Sequence, residues 1–541
     1  MILAEWAPRI TGIDLEVGRN LVRIRRCDRP RHYLRVQRFL CSADIRTVTE
    51  GSFVDSTVHT HSPPDRSGHT RWNMRLVGQI AALLLANITA DTVIVLPLLV
   101  LPQMLDHFHT GQAAWISSTA MLAGAMWAPL FGKSADIHGK RRMLTVALLV
   151  ACGGALICLT APNLWIFVLG RMLQGAAVAA VFLTVAIVRD LCAPRIAMPA
   201  VGAVTTGAGV VGLAVSANIE PLAAQFGFRI VFVASALFAT AAVICIRAFV
   251  PESTVRTPGR VDVAGTLLLG GGLVAVLAYI SLGPDIGWLS VWALALLAAG
   301  VAALTRWYLV SSRIPEPVID IRNLGRPMVL TLLVVVLANG AVQSMDQLLS
   351  LIAQVSADQG LGYGLDAQGS LALLFGLPAI GIMAGGLISG WLAARTDPSV
   401  ALTGGVLVGT VGTLGMFLGA SSFPVAISFA MLLNLSVGSL LASGFNMAAV
   451  LTPPERQGVI SSMVTVMSAI GSVGVSFVGA AVLSSTSVVV DGATVNSATG
   501  VFSYVAIAAG VFVVAAVLAC LLVAHRRANR PQRTVTSASP Q

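Results

Sequence analysis

Four ionisable side chains inside long apolar runs are the residues of this sequence with the clearest chemistry. Asp91 and Asp346 each lie well inside such a run, Glu220 lies toward the end of another, and Arg171 lies in a fourth. If the runs cross a membrane, a charged side chain there is costly and usually faces a cavity or a partner. A carboxylate in that setting can take up and release a proton. The three acids are therefore candidate proton carriers, and Arg171 is expected to face a cavity or a partner, provided that the runs are membrane spans.

The composition agrees with membrane spans. The chain has 541 residues, of which 56% are hydrophobic and 11% charged, whereas soluble proteins carry about a quarter charged residues. Segments of about 20 apolar residues cross a hydrocarbon core of about 30 Å, and only helices or closed barrels satisfy the backbone there. Runs such as LVGQIAALLLA lack the alternation of barrel strands. We therefore predict an all-α membrane protein.

Fourteen apolar segments qualify as spans, and LLLANITAD (83–91) in the first is echoed by VVLANGAVQSMD (335–346) in the ninth. Parallel repeats of six helices are a transporter architecture, with the substrate site between the repeats near the midplane. The predicted spans are 76–101, 113–132, 143–161, 164–188, 196–221, 228–250, 262–282, 289–310, 327–352, 369–392, 399–419, 424–447, 459–484 and 500–524.

The spans divide the chain into five parts: a basic, disordered tail (1–72), a six-helix bundle (73–250), a two-helix insert (251–326), a second six-helix bundle (327–525) and a C-terminal tail (526–541). Arginine and lysine are concentrated in alternate connectors, so both termini are predicted to be cytoplasmic in a multi-pass cell-membrane protein. The N-terminal tail is either an arm on anionic lipid or a dispensable extension translated from an early start. The second interpretation is favoured, with Met74 near the true start.

The sequence favours no enzyme. The net charge is +10, but the basic residues do not form one patch, so nucleic acid is not an expected partner. Neither a phosphate-binding loop nor a metal-ligand spacing occurs, so no cofactor or metal site is predicted. Asp262, at the edge of the seventh span, is predicted to cap a helix. The expected partners are a small substrate, protons and membrane lipid, with a monomer favoured.

The connector after the second span carries a specific motif, GKSADIHGKRR, with Gly132, Asp136, Gly139, Lys140 and Arg141 at its key positions. It resembles the cytoplasmic loop motif of the major facilitator superfamily. The resemblance implies the major facilitator fold and a gating role for this cluster, which latches the cytoplasmic side in one state. The glycines permit a tight turn, and Asp136 can pair with a basic loop residue and with a neighbouring helix N-terminus. The alternative is a plain loop that sets topology.

The fourth span contains LGRMLQGAAVAA (169–180), which resembles a second motif of the same family. Arg171 matches its arginine, and Gln174 and Gly175 match the pair that follows. The resemblance assigns the arginine to proton coupling. The alternative is a purely structural bond from Arg171 to a carbonyl group.

The first span contains ITADTVIVLPLLVLP (88–102), which resembles the motif of fourteen-helix drug:proton antiporters in this family. Asp91 and Pro97 match, whereas Ile94, Val95 and Leu96 replace the usual residues between them. Asn87 lies one turn before Asp91 on the same face, where it could donate a hydrogen bond to Asp91 or line the cavity.

The fifth span departs from the antiporter pattern, because Val215 and Ser216 stand where a Gly-Pro pair is usual. Glu220 is either a second proton site or cation-recognising group, or an acid at a wet outer mouth. In the ninth span Asp346 is another candidate acid near the repeat-equivalent position of Asp91, with Gln343 in its neighbourhood.

The resemblance implies proton-coupled efflux of lipophilic drugs by alternating access, with cationic drugs as one candidate class. Two alternatives stay open. One is a dedicated exporter of a single metabolite such as a lipid, siderophore or peptide. The other is a membrane sensor that does not transport, although such a protein would not need titratable groups inside its spans.

Overall fold

The computed structural model describes residues 15–18, 21–24, 72–109, 113–253, 256, 262–313, 325–353, 363, 377–453, 456–486, 488–490, 493–495 and 497–528. The chain divides into two compact units, Met1–Arg66 and Ser67–Gln541. In the first unit, β1 (Leu15–Gly18) pairs antiparallel with β2 (Leu21–Ile24). These eight residues form a hairpin where the sequence predicts disorder, and the rest of that prediction lies outside the described residues.

The second unit is built from helices. They are α1 (Met74–Leu99), α2 (Leu101–Phe108), α3 (Ala113–His138), α4 (Lys140–Thr160), α5 (Leu164–Gln174), α6 (Ala179–Leu191), α7 (Pro194–Phe226), α8 (Ile230–Phe249), α9 (Val263–Ile286), α10 (Val291–Ser311), α11 (Arg326–Ala353), α12 (Leu377–Arg395), α13 (Pro398–Gly419), α14 (Phe423–Leu451), α15 (Gln457–Ser485) and α16 (Ala498–Ala528). A short hairpin of β3 (Val488–Val490) and β4 (Ala493–Val495) joins α15 to α16.

A helix overlaps each of the fourteen predicted spans, and eleven of the described helical segments are long and apolar enough to cross a membrane. The chain is therefore the predicted all-α membrane protein. Large apolar side chains on outward faces support this conclusion. Val291 and Trp292 on α10 are 80% and 79% exposed, and such surface is unfavourable in water but not in lipid.

We call helices α1 to α8 and helices α11 to α16 the two halves of the second unit. They meet where α3 packs on α15 and where α7 packs on α12. Of the inserted pair, α9 packs against α3, and α10 packs against α9. Asp262 caps α9 as predicted, because its carboxylate accepts the N–H of Gly265 at 2.8 Å.

Two predicted spans are broken in ways that the periodicity did not show. The first divides into α1 and α2 at Val100, and Pro97 lies in the last turn of α1. The fourth is α5 and α6 joined by a 3₁₀ turn, Gly175–Val178. A β-carbon on Gly175 would lie 2.5 Å from the carbonyl oxygen of Ala120, so this glycine lets α3 approach the fourth span closely.

Candidate functional site

Arg171 is fully buried on α5 and reaches across to α1. Its Nη1 donates to the carbonyl oxygen of Val93 at 2.7 Å and to Oε1 of Gln174 at 3.1 Å. Its Nε and Nη2, like Nε2 of Gln174, have no acceptor within the described residues. A buried cation with unpaired donors is unfavourable, so the arrangement is typical of a site with a role beyond packing.

The acceptor of Arg171 is a carbonyl that α1 cannot use. In an α-helix the carbonyl of Val93 would accept from the N–H of the residue four positions later. That residue is Pro97, which has no N–H. Arg171 supplies the missing donor. The proline of one predicted motif and the arginine of the other therefore act on the same carbonyl oxygen: Pro97 leaves it without a helical donor, and Arg171 donates to it.

Asp91 lies on the same helix, two residues before Val93, and is half-buried. Its carboxylate has no hydrogen-bond donor or cation within the described residues. Arg171 thus bonds to the backbone beside Asp91 and not to its side chain. A bond to a carbonyl group is what a purely structural role for Arg171 predicts. Two nitrogens of the guanidinium nevertheless have no partner in the part of the chain that the structure describes.

Asn87 does not donate to Asp91. Its Nδ2 donates to Oγ1 of Thr184 on α6 at 2.9 Å and to the carbonyl of Leu83 at 3.3 Å. The interaction ties α1 to α6, which makes Asn87 a helix-packing residue in this structure.

The second half brings a different set of residues to Asp346 on α11. Nδ2 of buried Asn434 on α14 donates to Oδ1 of Asp346 at 3.3 Å. Gln343, one turn earlier, is exposed. Within the described residues, no hydrogen bond joins Asp346 to Asp91, and the side chain of Glu220 lies outside them.

The charged connector is almost entirely helical. α3 continues to His138 and α4 begins at Lys140, so Gly139 alone separates them. Gly139 has a φ of 106°, a conformation that side chains disfavour. Gly132 was also expected to serve the turn, but it lies inside α3, and its β-carbon would be 2.9 Å from the carbonyl oxygen of Gly458 on α15. Its lack of a side chain allows the two halves to touch.

Asp136 joins the halves at the same place. Its two carboxylate oxygens accept the N–H groups of Gly458 at 2.9 Å and Val459 at 3.1 Å. These groups open α15, where unpaired N–H groups and the helix dipole favour a negative charge. Burial nevertheless raises the pKa of Asp136 to about 6, because the two hydrogen bonds and the nearby Lys140 and Lys133 lower it by less.

Lys140 pairs with Asp190 and not with Asp136. Its Nζ is fully buried and lies 2.9 Å from each carboxylate oxygen of Asp190, which also accepts the hydroxyl of Ser253 at 2.5 Å. The N–H groups of Arg141 and Arg142 donate to the carboxylate of Glu252 at 3.1 and 3.2 Å. Glu252 therefore caps α4 from a distant part of the chain.

Sequence reasoning missed Asp190, Ser253 and Glu252. A signal existed for the two acids, because they are carboxylates in connectors that are otherwise basic. Nothing in the sequence paired them with particular partners.

Arg189, at the end of α6, makes a second bridge between the halves. Its Nη2 donates to Oδ1 of Asn446 on α14 at 2.5 Å, and Nδ2 of Asn446 donates to the carbonyl of Met198 on α7 at 3.5 Å. We call the end of the second unit that carries Asp136, Lys140 and Arg189 the basic end. In this structure the halves are joined there.

The sequence profile of the Major Facilitator Superfamily matches residues 81–476. A uridine/deoxyuridine transporter of Lactococcus lactis subsp. cremoris is 27% identical over 430 residues, which cover 74% of this chain and 86% of that protein. A triacylglyceride transporter of Mycolicibacterium smegmatis is 26% identical, with 65% of each chain covered. The multidrug resistance protein Stp of Mycobacterium tuberculosis is 24% identical, with 71% of each chain covered.

A solved structure shows the same fold. The human organic anion transporter MFSD10 superposes with a TM-score of 0.58 at 16% sequence identity, over 83% of this chain and 100% of that one. At this identity the likeness concerns the fold alone. Within the described residues, no group of three or more His, Cys, Asp or Glu side chains could hold a metal ion.

Proposed function

Because this chain belongs to the major facilitator superfamily, we propose that it exports lipophilic drugs across the cell membrane in exchange for protons. Cationic drugs are the candidate class that a free carboxylate would bind. In such a carrier a solute and a proton use the same machinery in turn, and the two halves expose it to each side of the membrane alternately.

The observation that carries this proposal is the arrangement of Asp91, Val93 and Arg171. The Asp91 carboxylate is half-buried in a span and has no partner within the described residues. Val93 lies two residues after Asp91, and its carbonyl oxygen, which Pro97 leaves without a helical donor, accepts a hydrogen bond from Arg171. A residue that only stabilised the fold would be expected to have its buried polar groups satisfied. A carboxylate without a partner is available to a proton or to a cationic solute.

In the proposed mechanism Asp91 is the group that solute and proton share. The deprotonated carboxylate helps to bind the drug, and a proton from outside competes for the same oxygens and resets the carrier. Arg171 positions this part of α1, because it replaces the helical hydrogen bond that Pro97 removes. A change in the hydrogen bond to Val93 would alter the bend of α1 beside Asp91.

The basic end would act as the gate. Opening it requires Asp136 to leave the N-terminus of α15 and Arg189 to leave Asn446. Both interactions are hydrogen bonds to charged groups, which contribute about 1.5–3 kcal/mol each. The excess of Lys and Arg in these connectors supports a cytoplasmic position for this end and for both termini.

A second candidate is a dedicated exporter of one metabolite. Two relatives are named for single classes of solute, uridine/deoxyuridine and triacylglyceride. The Val215-Ser216 pair in α7, where the antiporters have Gly-Pro, also favours a specialised carrier.

Proton flux in inverted membrane vesicles tests the proposal. The vesicles are energised, internal acidity is read with a quenched dye, and lipophilic cations, neutral drugs and lipids are added in turn. Proton release by several unrelated cations in the unchanged protein, lost in Asp91→Asn, is the expected result. Asp106→Asn is the matched control, because Asp106 is exposed on α2.

Normal coupled release by Asp91→Asn would contradict the role of Asp91. Release with only one compound of the panel would favour the dedicated exporter.

A further inference from the structure

A pocket of about 430 Å³ lies between the insert and the two halves. This volume is within the range of about 300–1,000 Å³ that small-molecule sites occupy. Five helices line it, namely α3, α9, α10, α11 and α15, with side chains that include Pro129, Leu269, Trp307, Leu332, Met463 and Ile470. The insert thus forms one wall of a cavity and does more than cover the outside of α3.

Among the described residues that line the pocket, one buried polar side-chain atom has no hydrogen-bond partner. Nε1 of Trp307 is buried, and it has no acceptor within the described residues. The other lining side chains are apolar except for Ser462, whose hydroxyl already donates to the carbonyl of Val459 at 2.7 Å. Because a buried indole N–H normally finds an acceptor, the pocket presents an apolar surface and one unused hydrogen-bond donor.

Along the helix axes, the pocket lies closer to the basic end of the second unit than to its opposite end. Val329 and Leu332 are in the first turns of α11, Met463 is in the second turn of α15, and Trp307 is in the last turns of α10. Arg326 begins α11 three residues before Val329 and is exposed, so it lies on the same face of the helix, one turn nearer the end. An exposed cation therefore lies about one helical turn beyond a cavity whose lining holds one unused hydrogen-bond donor.

We propose that this pocket binds one acyl chain of a membrane glycerolipid from the leaflet at the basic end. The chain lies among the apolar side chains, its ester carbonyl accepts the indole N–H of Trp307, and the anionic phosphate of the headgroup meets Arg326. A lipid fits this pocket better than water or a polar solute does. Apart from the Trp307 indole and the Ser462 hydroxyl, which is already bonded, the side chains that line the pocket are apolar. The site is separate from Asp91 and does not depend on which solute the carrier exports.

Photolabelling of the full-length protein tests this assignment. The protein is placed in phosphatidylcholine nanodiscs with a trace of diester phosphatidylglycerol that carries a diazirine on one acyl chain. We expect saturable labelling of the peptides around Leu269, Leu332 and Met463. Leu332→Trp fills the pocket and should abolish that labelling. Leu418→Trp is the control, because Leu418 on α13 is 68% exposed and lies outside the pocket.

Trp307→Phe separates the hydrogen bond from the cavity. It keeps an aromatic ring but removes one neutral hydrogen bond, which weakens binding about three- to tenfold. The loss should appear with the diester lipid and be absent with the diether analogue, which has no carbonyl group.

Two results would overturn the proposal. One is labelling of the pocket helices that is no stronger than labelling of α13, or that Leu332→Trp leaves unchanged in protein that elutes as a single species. The other is displacement of the lipid label by a lipophilic cation, which would assign the pocket to exported solute. Neither result bears on proton coupling through Asp91, which the vesicle assay measures separately.

Discussion

Nη1 of Arg171 lies 2.7 Å from the carbonyl oxygen of Val93, an atom that has no helical donor because Pro97 follows four residues later. A purely structural role and a functional role for this contact differ in a measurable way. If it only repairs α1, then a chain without both the proline and the arginine should fold and transport. If it positions Asp91, such a chain should fold but not transport.

The double variant Pro97→Ala/Arg171→Met distinguishes the two roles. The first substitution restores a backbone N–H for the carbonyl of Val93, and the second removes the buried cation. We expect the double variant to be more stable than predicted from the sum of the single variants, with a coupling free energy of about 1–3 kcal/mol. Thermal unfolding in detergent measures this, and the vesicle assay should show no coupled transport. Arg142→Met is the control, because Arg142 is an exposed arginine. Full transport by the double variant would mean that the Arg171–Val93 contact has only a structural role.

Gly132→Ala should open the basic end. The new methyl group would lie 2.9 Å from the carbonyl oxygen of Gly458. Overpacking of this kind costs about 1–3 kcal/mol, which shifts a two-state equilibrium by about 5- to 150-fold. Spin labels are placed at the exposed residues Arg142 and Thr396, one in each half. The fraction of molecules in which the two labels are far apart should increase. Gly153→Ala in α4 is the control, because no atom of the described residues lies within 4 Å of its β-carbon position. An unchanged distance distribution would show that the α3–α15 contact does not hold the gate.

Breaking the Lys140–Asp190 pair should be costly, and replacing both partners should not. The side chains of Lys140 and Asp190 are only 1% and 15% exposed. Removal of one charge from a buried pair costs about 3–5 kcal/mol, whereas apolar replacement of both is often neutral. We expect Lys140→Met and Asp190→Leu each to lower the unfolding temperature strongly, and the double variant to recover most of the loss. Additive losses in the double variant would mean that the two residues act separately.

Asp136 should make stability depend on pH. Burial raises its pKa from 3.8 to about 6, so the folded protein binds this proton more tightly than the unfolded chain does. Its contribution to the free energy of unfolding is therefore greatest below about pH 4, falls as the pH rises to about 6, and is constant above that.

Unfolding temperatures between pH 4 and pH 7 check this prediction as a difference between the unchanged protein and Asp136→Asn. The difference should vary with pH for this variant and stay flat for Gly153→Ala, which changes no titratable group. A pH-independent difference for Asp136→Asn would show that its two N–H donors already offset the effect of burial.

The order of apolar and charged residues along the chain was enough to predict the class of the protein and the approximate positions of its helices. Hydropathy and the distribution of Lys and Arg are properties of short segments, and a membrane responds to them segment by segment. The motifs around Asp136, Arg171 and Asp91 indicated the family for the same reason, because each is contiguous in the sequence.

Only the tertiary structure decided the partners of these residues. Asp136 bonds to N–H groups more than 300 residues away, Lys140 pairs with Asp190, and Asn87 bonds to Thr184 and not to Asp91. The Trp307 pocket is built from five helices and has no sequence signature. Which side chains meet depends on the rotation of each helix about its axis and on the neighbour that it packs against. Both are set by close packing across the whole bundle, and no single apolar segment carries that information.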